Sequence, residues 1–233
     1  MNDNIYETIE YRGFNINIEY DHDPLCPRTE WDNLGTMVCC HSNYTLGDKQ
    51  VQDGDSGFLR HLTDKFDIPS QYDDYDYDNF SVVKKWAEKN LIMLPLYLYD
   101  HSGITMNTGG FSCPWDSGQV GWIYISRKKV REEYSVKRIS KKLLNKIIKY
   151  LTSEVSTYDN YLTGEVYGFV VEGAGDDSCW GFYGDSGVKD AIAEGKSSID
   201  FHINEVKKAH YKKLKAYIIN KVPLLNRESL VLA

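Results

Sequence analysis

Polar and apolar residues alternate strictly over residues 14–21. Phe14, Ile16, Ile18 and Tyr20 take one face of a strand, and Asn15, Asn17, Glu19 and Asp21 take the other, wet face. Ile5, Ile9 and Tyr11 predict a strand just before it, with Arg12-Gly13 as the tight turn. Residues 36–41 predict a third strand. Residues 91–99 are nearly all apolar and predict a buried central strand in which Pro95 marks a weak point or a bulge. Residues 119–126 read as another strand. Residues 165–172 and 178–183 read as a hairpin joined by Gly173, Ala174, Gly175, Asp176 and Asp177.

Helical spacing appears in four places. Residues 58–66 and 81–90 are two short helical stretches on either side of an acidic, tyrosine-rich tract. Ile139, Leu143, Leu144, Ile147, Ile148 and Leu151 form an apolar stripe, with Lys141, Lys142, Lys146 and Lys149 elsewhere on the wheel and Ser140 or a near neighbour placed to cap the start. Ile203, Val206, His210, Leu214, Tyr217 and Ile218 form a second stripe that Pro223 stops. The grouping of these elements predicts an α+β fold, an antiparallel or mixed β-sheet with amphipathic helices packed against it. One domain over residues 1–233 is expected, with residues 71–79 as the weakest point along the chain.

Composition narrows the class. The chain has 233 residues with 42% hydrophobic and 26% charged, which excludes a disordered tail or a disulfide mini-protein. No run reaches the roughly 18 apolar residues of a membrane span, and the polar, acidic start reads as neither signal nor transit peptide. Five cysteines, Cys26, Cys39, Cys40, Cys113 and Cys179, are an odd number without close CxxC pairs and are expected as free thiols in a reducing cytoplasm. The net charge of −7 divides unevenly: residues 1–80 carry −12 and residues 81–233 carry +5. Residues 127–149 alone hold ten bases and two acids.

Candidate chemistry is sparse. The phosphate-loop, dinucleotide, nucleophile-elbow and zinc-protease patterns are absent. Asp21 with His22, and Asp100 with His101, stand at the ends of two predicted strands and form a candidate ligand site if those ends meet. The same residue types also gather at strand ends simply to bond local backbone. Cys113, in Cys-Pro-Trp-Asp-Ser-Gly, is a candidate thiol nucleophile with His101 or His22 as its base. Neither Asp-His pair has a chelating spacing, so no metal and no cofactor are expected.

The most unusual stretch is Tyr72-Asp73-Asp74-Tyr75-Asp76-Tyr77-Asp78. In an extended segment, Asp74, Asp76 and Asp78 line one face at about 6.6 Å intervals while Tyr75 and Tyr77 line the other. Such a row imitates a phosphate backbone, and the tyrosines serve as anchors. Asp73, Asp74, Tyr75, Asp76, Tyr77 and Asp78 are therefore the candidate partner-binding residues.

Five stretches carry a family resemblance: YDHDPLCPRTEWDNLGTMVC (20–39), LPLYLYDHSGITM (94–106), FSCPWDSGQVGWIYIS (111–126), LTGEVYGFVVE (162–172) and DSCWGFYGD (177–185). Together they resemble an uncharacterised family of small acidic proteins of tailed phages and prophages. The resemblance implies a setting, the cytoplasm of an infected bacterial host, and no functional residue. In that setting the expectation is an anti-defence protein without catalytic residues. It would inhibit a bacterial immune effector, of CRISPR-Cas or restriction type, by direct protein binding through its acidic, Tyr-rich surface. The alternative is a protein that binds or hydrolyses a nucleotide of defence signalling, using Asp21, His22, Asp100 and His101 or the basic helices. Direct nucleic-acid binding is not expected from a chain of net charge −7.

Overall fold

A computed structural model describes residues 4–66, 68 and 77–221. The chain is α+β, and it divides into two compact units. One unit joins residues 1–24 to 166–233, and the other is the continuous stretch Leu25–Glu165. The seams therefore fall at residues 24/25 and 165/166, and most of the tract 71–79 lies outside the described residues.

In the first unit, β1 (Ile5–Tyr11), β2 (Phe14–Tyr20), β8 (Val166–Glu172) and β9 (Ser178–Tyr183) form a fully antiparallel sheet in the order β1-β2-β8-β9. Arg12 (φ 53°) and Gly13 (φ 81°) make the tight turn between β1 and β2, with both central residues in the left-handed region as a two-residue hairpin of this hand requires. Ile16 faces Val171 and Ile18 faces Phe169 across the β2–β8 register, so one face of the sheet becomes a continuous apolar surface. The opposite face is not wholly wet: Asn17 is buried. Its Oδ1 accepts from Thr8 Oγ1 at 2.9 Å and its Nδ2 donates to Glu172 Oε1 at 3.1 Å, which satisfies the amide across three strands.

The helix α5 (Gly184–Lys221) covers the apolar face. Its sheet-facing seam runs Gly184, Gly187, Val188, Ala191, Gly195 and Ile199. Small residues let the helix backbone approach closely: a Cβ on Gly195 would lie 2.8 Å from Ile16 Cγ2. The sequence pattern missed this half of the helix because glycine and alanine leave no large apolar stripe to read.

In the second unit the strands run in the order β4-β3-β7-β5-β6: β3 (Thr36–Cys39), β4 (Lys49–Gln50), β5 (Leu91–Asp100), β6 (Ile104–Asn107) and β7 (Ser117–Ser126). β3 and β4 are parallel and the other pairings antiparallel, so this sheet is mixed. Helices α1 (Gly54–Phe66) and α2 (Tyr77–Asn90) pack Phe58, Leu62, Val83 and Ala87 against Val38 and Tyr124 on one face. On the other, α4 (Lys141–Thr163) packs Ile147, Leu151, Val155 and Tyr158 against Met37, Leu96 and Ile123. A short α3 (Arg127–Glu133) follows β7 directly. Alternation along β3 and β7 serves both layers, since Met37 and Ile123 point one way and Val38 and Tyr124 the other.

Ser140 caps α4 by accepting from Leu143 N at 3.2 Å, and Gly164 ends it in the left-handed region at φ 76°. Pro95 sits within β5 opposite Trp122, while β6 pairs with β5 only from Tyr97 onward. At Pro95 the strand thus has a partner strand on one side, where a residue lacking an N–H is tolerated. The register shift lies between Leu96 and Tyr97, beside the proline.

Candidate functional site

The sequence candidates fall in different parts of the chain. Asp21 and His22 belong to the first unit and Asp100 and His101 to the second, so neither unit by itself brings the two pairs together. Asp21 Oδ1 accepts from Asp23 N at 3.1 Å, a local turn bond of the kind that gathers Asp at strand ends. Asp73, Asp74, Tyr75 and Asp76 lie outside the described residues. Tyr77 and Asp78 open helix α2, so the extended alternation expected for the tract does not reach them.

At the end of β5 the structure builds a cluster that the sequence only half announced. Asp100 N donates to Asp116 O at 2.8 Å, and Asp100 Oδ1 accepts from Tyr44 Oη at 3.3 Å. Asp116 Oδ2 stands 3.6 Å from His101 Nδ1 and 3.5 Å from Cys113 Sγ. The carboxylate thus sits between thiol and imidazole. A thiolate nucleophile needs the imidazole next to the sulfur and the carboxylate behind it. Here the order is reversed, with the carboxylate against the thiol and the imidazole behind it. Among the described residues no group of three His, Cys, Asp or Glu side chains has a metal-holding arrangement. All five cysteines are free. Burial pushes the Cys39 thiol up to about 12, which makes that sulfur inert.

A second titratable pair went unread. His61 Nε2 lies 2.9 Å from Tyr124 Oη, under Lys65, whose ammonium stands 5.3 Å from the Tyr124 ring centre. Burial, then Lys65 and Lys49, lowers the His61 pKa below its ordinary 6.5. Burial raises that of the Tyr124 phenol. A neutral imidazole facing a neutral phenol is a pin between α1 and β7. It has no acid–base drive, because neither group is poised near neutrality in its charged form.

The surface that the fold leaves unused is on α5. The seam against the sheet ends at Ile199, with Ile203 half-buried beyond it. At this point Asp200 is tied to the β1–β2 hairpin by Arg12, at 2.9 Å, and by the Tyr11 hydroxyl, at 3.3 Å. Residues 204–221 continue as helix for about 27 Å. The apolar stripe predicted for this segment keeps its periodicity but has no core beneath it among the described residues: Val206 is 54%, Leu214 45% and Tyr217 63% exposed. Tyr211 adds exposed apolar area at one side of the stripe, while Phe201 and Ile219 are exposed on the opposite face. Lys208, Lys212 and Lys215 occupy the far side of the wheel, and Lys207 and Lys213 flank the stripe. The one acid, Glu205, is held by Lys208 at 2.7 Å. Among the described residues no helix is long and apolar enough to cross a membrane.

Compared with protein-family models, with curated proteins and with solved structures, the chain gives no match in any of the three.

Proposed function

We propose that this chain acts by binding a protein partner, and that the partner is a bacterial immune effector which a phage-encoded inhibitor holds out of action. The binding part rests on one observation: the stripe Ile203, Val206, His210, Leu214 and Tyr217 extends beyond the core of its own unit with its periodicity intact. Apolar anchors at i, i+3, i+11 and i+14, with His210 at i+7, are one half of a helix-in-groove contact. Exposed apolar area of this extent, rimmed by charge, marks an interaction surface.

The lysines around the stripe select the partner's sign. Lys207 and Lys213 flank it, so a groove with an acidic rim is complementary. Two copies meeting through the stripe would set these ammoniums against each other, with Glu205 already engaged by Lys208. The phage setting, in the cytoplasm of an infected bacterium, rests on the family resemblance. The acidic tract, with Asp73, Asp74, Tyr75, Asp76, Tyr77 and Asp78, enters this reading from its sequence alone, as a second contact of opposite charge. Docking needs no catalytic group, which agrees with the reversed order of Cys113, Asp116 and His101.

The test is phage plating on a panel of bacterial strains, each carrying one defence system, with and without this chain expressed from a plasmid. Restored plaque formation on a particular strain is the expected result. Unchanged plating on every restriction and CRISPR strain of the panel would remove the anti-defence setting.

A further inference from the structure

We propose that the groove between the α3–α4 connection and helix α4 binds the phosphate chain of a single-stranded nucleic acid. The groove has a volume of about 720 Å³, within the usual range for ligand sites, and is open to solvent. Tyr134 and Leu143 give it an apolar wall, and Arg138, Lys142, Lys146 and Lys149 are its charged residues. No carboxylate lines it. None of the four cations makes an ion pair among the described residues; on this stretch the carboxylate that is engaged, Glu132, is taken by Lys128.

The uncompensated charge is a cost that the fold carries. Helix α4 begins Lys141-Lys142 with no acid in its first turn. Cations therefore crowd the end where the helix dipole is positive and disfavours them. An anion in the groove relieves both repulsions together. Lys142, Lys146 and Lys149 recur at i, i+4 and i+7, which places them on one face over about 10 Å of helix, longer than a single phosphate. The Lys146 ammonium stands 5.2 Å from the Tyr134 ring centre and 5.4 Å from that of Tyr150, so charge and aromatic surface interleave. Charge that follows a backbone beside rings on which bases stack is how single strands are held without sequence preference.

The side-chain types favour phosphate over an acidic peptide. Ammonium groups act as point charges with no demand on geometry, and the rings of Tyr134 and Tyr150 beside Lys146 offer stacking surface that a nucleic acid uses and an acidic peptide does not. The net charge of −7, which set the sequence expectation against nucleic acid, averages over a chain whose bases are concentrated in residues 127–149. This inference is independent of the α5 contact, which lies in the other unit.

The test uses the full chain and a fluorescent single-stranded DNA of about 12 nucleotides, titrated at several salt concentrations. Three proteins are compared: wild type, Lys142→Gln/Lys146→Gln/Lys149→Gln, and a control of equal charge change on α2, Lys84→Gln/Lys85→Gln/Lys89→Gln. Circular dichroism confirms that all three are folded. Wild type and control are expected to bind alike. The groove variant should bind about tenfold more weakly or worse, with a log–log salt slope shallower by about 2. Equal weakening in both variants, no binding by wild type, or equal binding of a poly-glutamate peptide or of ATP alone would overturn the proposal.

Discussion

Arg28 Nε lies 2.7 Å from Asp48 Oδ1 and its Nη2 2.6 Å from Asp48 Oδ2, a fork-on-fork pair whose guanidinium side is 1% exposed. Two further donors are also used. Nη1 reaches Glu154 Oε2 on α4 at 3.1 Å, and Nη2 also donates to Gly35 O at 2.9 Å. Glu154 in turn accepts from the Leu34 amide at 2.7 Å, and Asp48 Oδ2 from the Met37 amide at 2.9 Å. One buried cation therefore fixes the loop before β3, the turn before β4 and the middle of α4. It does so because both carboxylates are held by further hydrogen bonds from backbone amides, the support a buried ion pair requires.

Removing that cation should be costly. Arg28→Met leaves Asp48 and Glu154 facing each other without a counter-charge, and a loss of about 3 kcal/mol or more is expected by urea denaturation. Arg28→Lys should recover little, since an ammonium cannot make the bidentate pair. If Arg28→Lys is as stable as wild type, the fork geometry is not what holds this corner.

Helix α4 gives a graded test of packing. Ile147 and Leu151 are fully buried, while Leu144, also read from the sequence as core, is only half-buried. Ile147→Ala should cost about 2–5 kcal/mol, and Leu144→Ala clearly less. Lys142→Ala should change stability by no more than about 0.5 kcal/mol. The reverse order for Ile147 and Leu144 would shift the register of the helix against the sheet.

Those elements show where the pattern was legible. Strand β2 could be read because its two faces differ in chemistry, and α4 because large aliphatic residues recur at helical spacing. The reading of α4 stopped at Leu151 and missed the turns to Thr163, where Val155 and Tyr158 continue the stripe among serines and threonines that favour other conformations. Helix α3 and strand β4 are too short to carry a period. The stripe on α5 was found at its correct spacing. Its exposure was not legible, since periodicity says which residues share a face and says nothing of what covers it. The His101–Asp116 contact joins residues fifteen apart across strand β6 and the loop after it, a relationship that local spacing does not encode.

His61 links stability to pH. Its folded pKa lies below the ordinary 6.5, chiefly through burial against Tyr124 and then through Lys65 and Lys49. The unfolded chain therefore binds a proton that the folded chain refuses. The stabilisation is fully present above about pH 6.5 and is lost as pH falls below it. Denaturation midpoints at about pH 7.5 and pH 5.5 should show wild type losing more on acidification than His61→Gln. An equal loss in both would assign the acid sensitivity to other groups.

The α5 stripe carries the central claim, and it is tested most directly on a strain whose defence the wild-type chain relieves. Val206→Asp/Leu214→Asp/Tyr217→Asp places charge on positions that are already exposed, so the melting temperature should stay near that of wild type. The comparison is a set of four Asp→Asn changes at Asp73, Asp74, Asp76 and Asp78, which alters the acidic tract and leaves the stripe whole. The measurement is the number of plaques formed with each protein expressed to the same level. The α5 variant is expected to lose the protection, because an apolar anchor is worth about 2 kcal/mol or more and three are removed. The tract variant is expected to keep part of it, since a contact made by charge alone acts mainly on the rate of encounter. Full protection by the α5 variant would contradict the account and move the contact surface away from this helix.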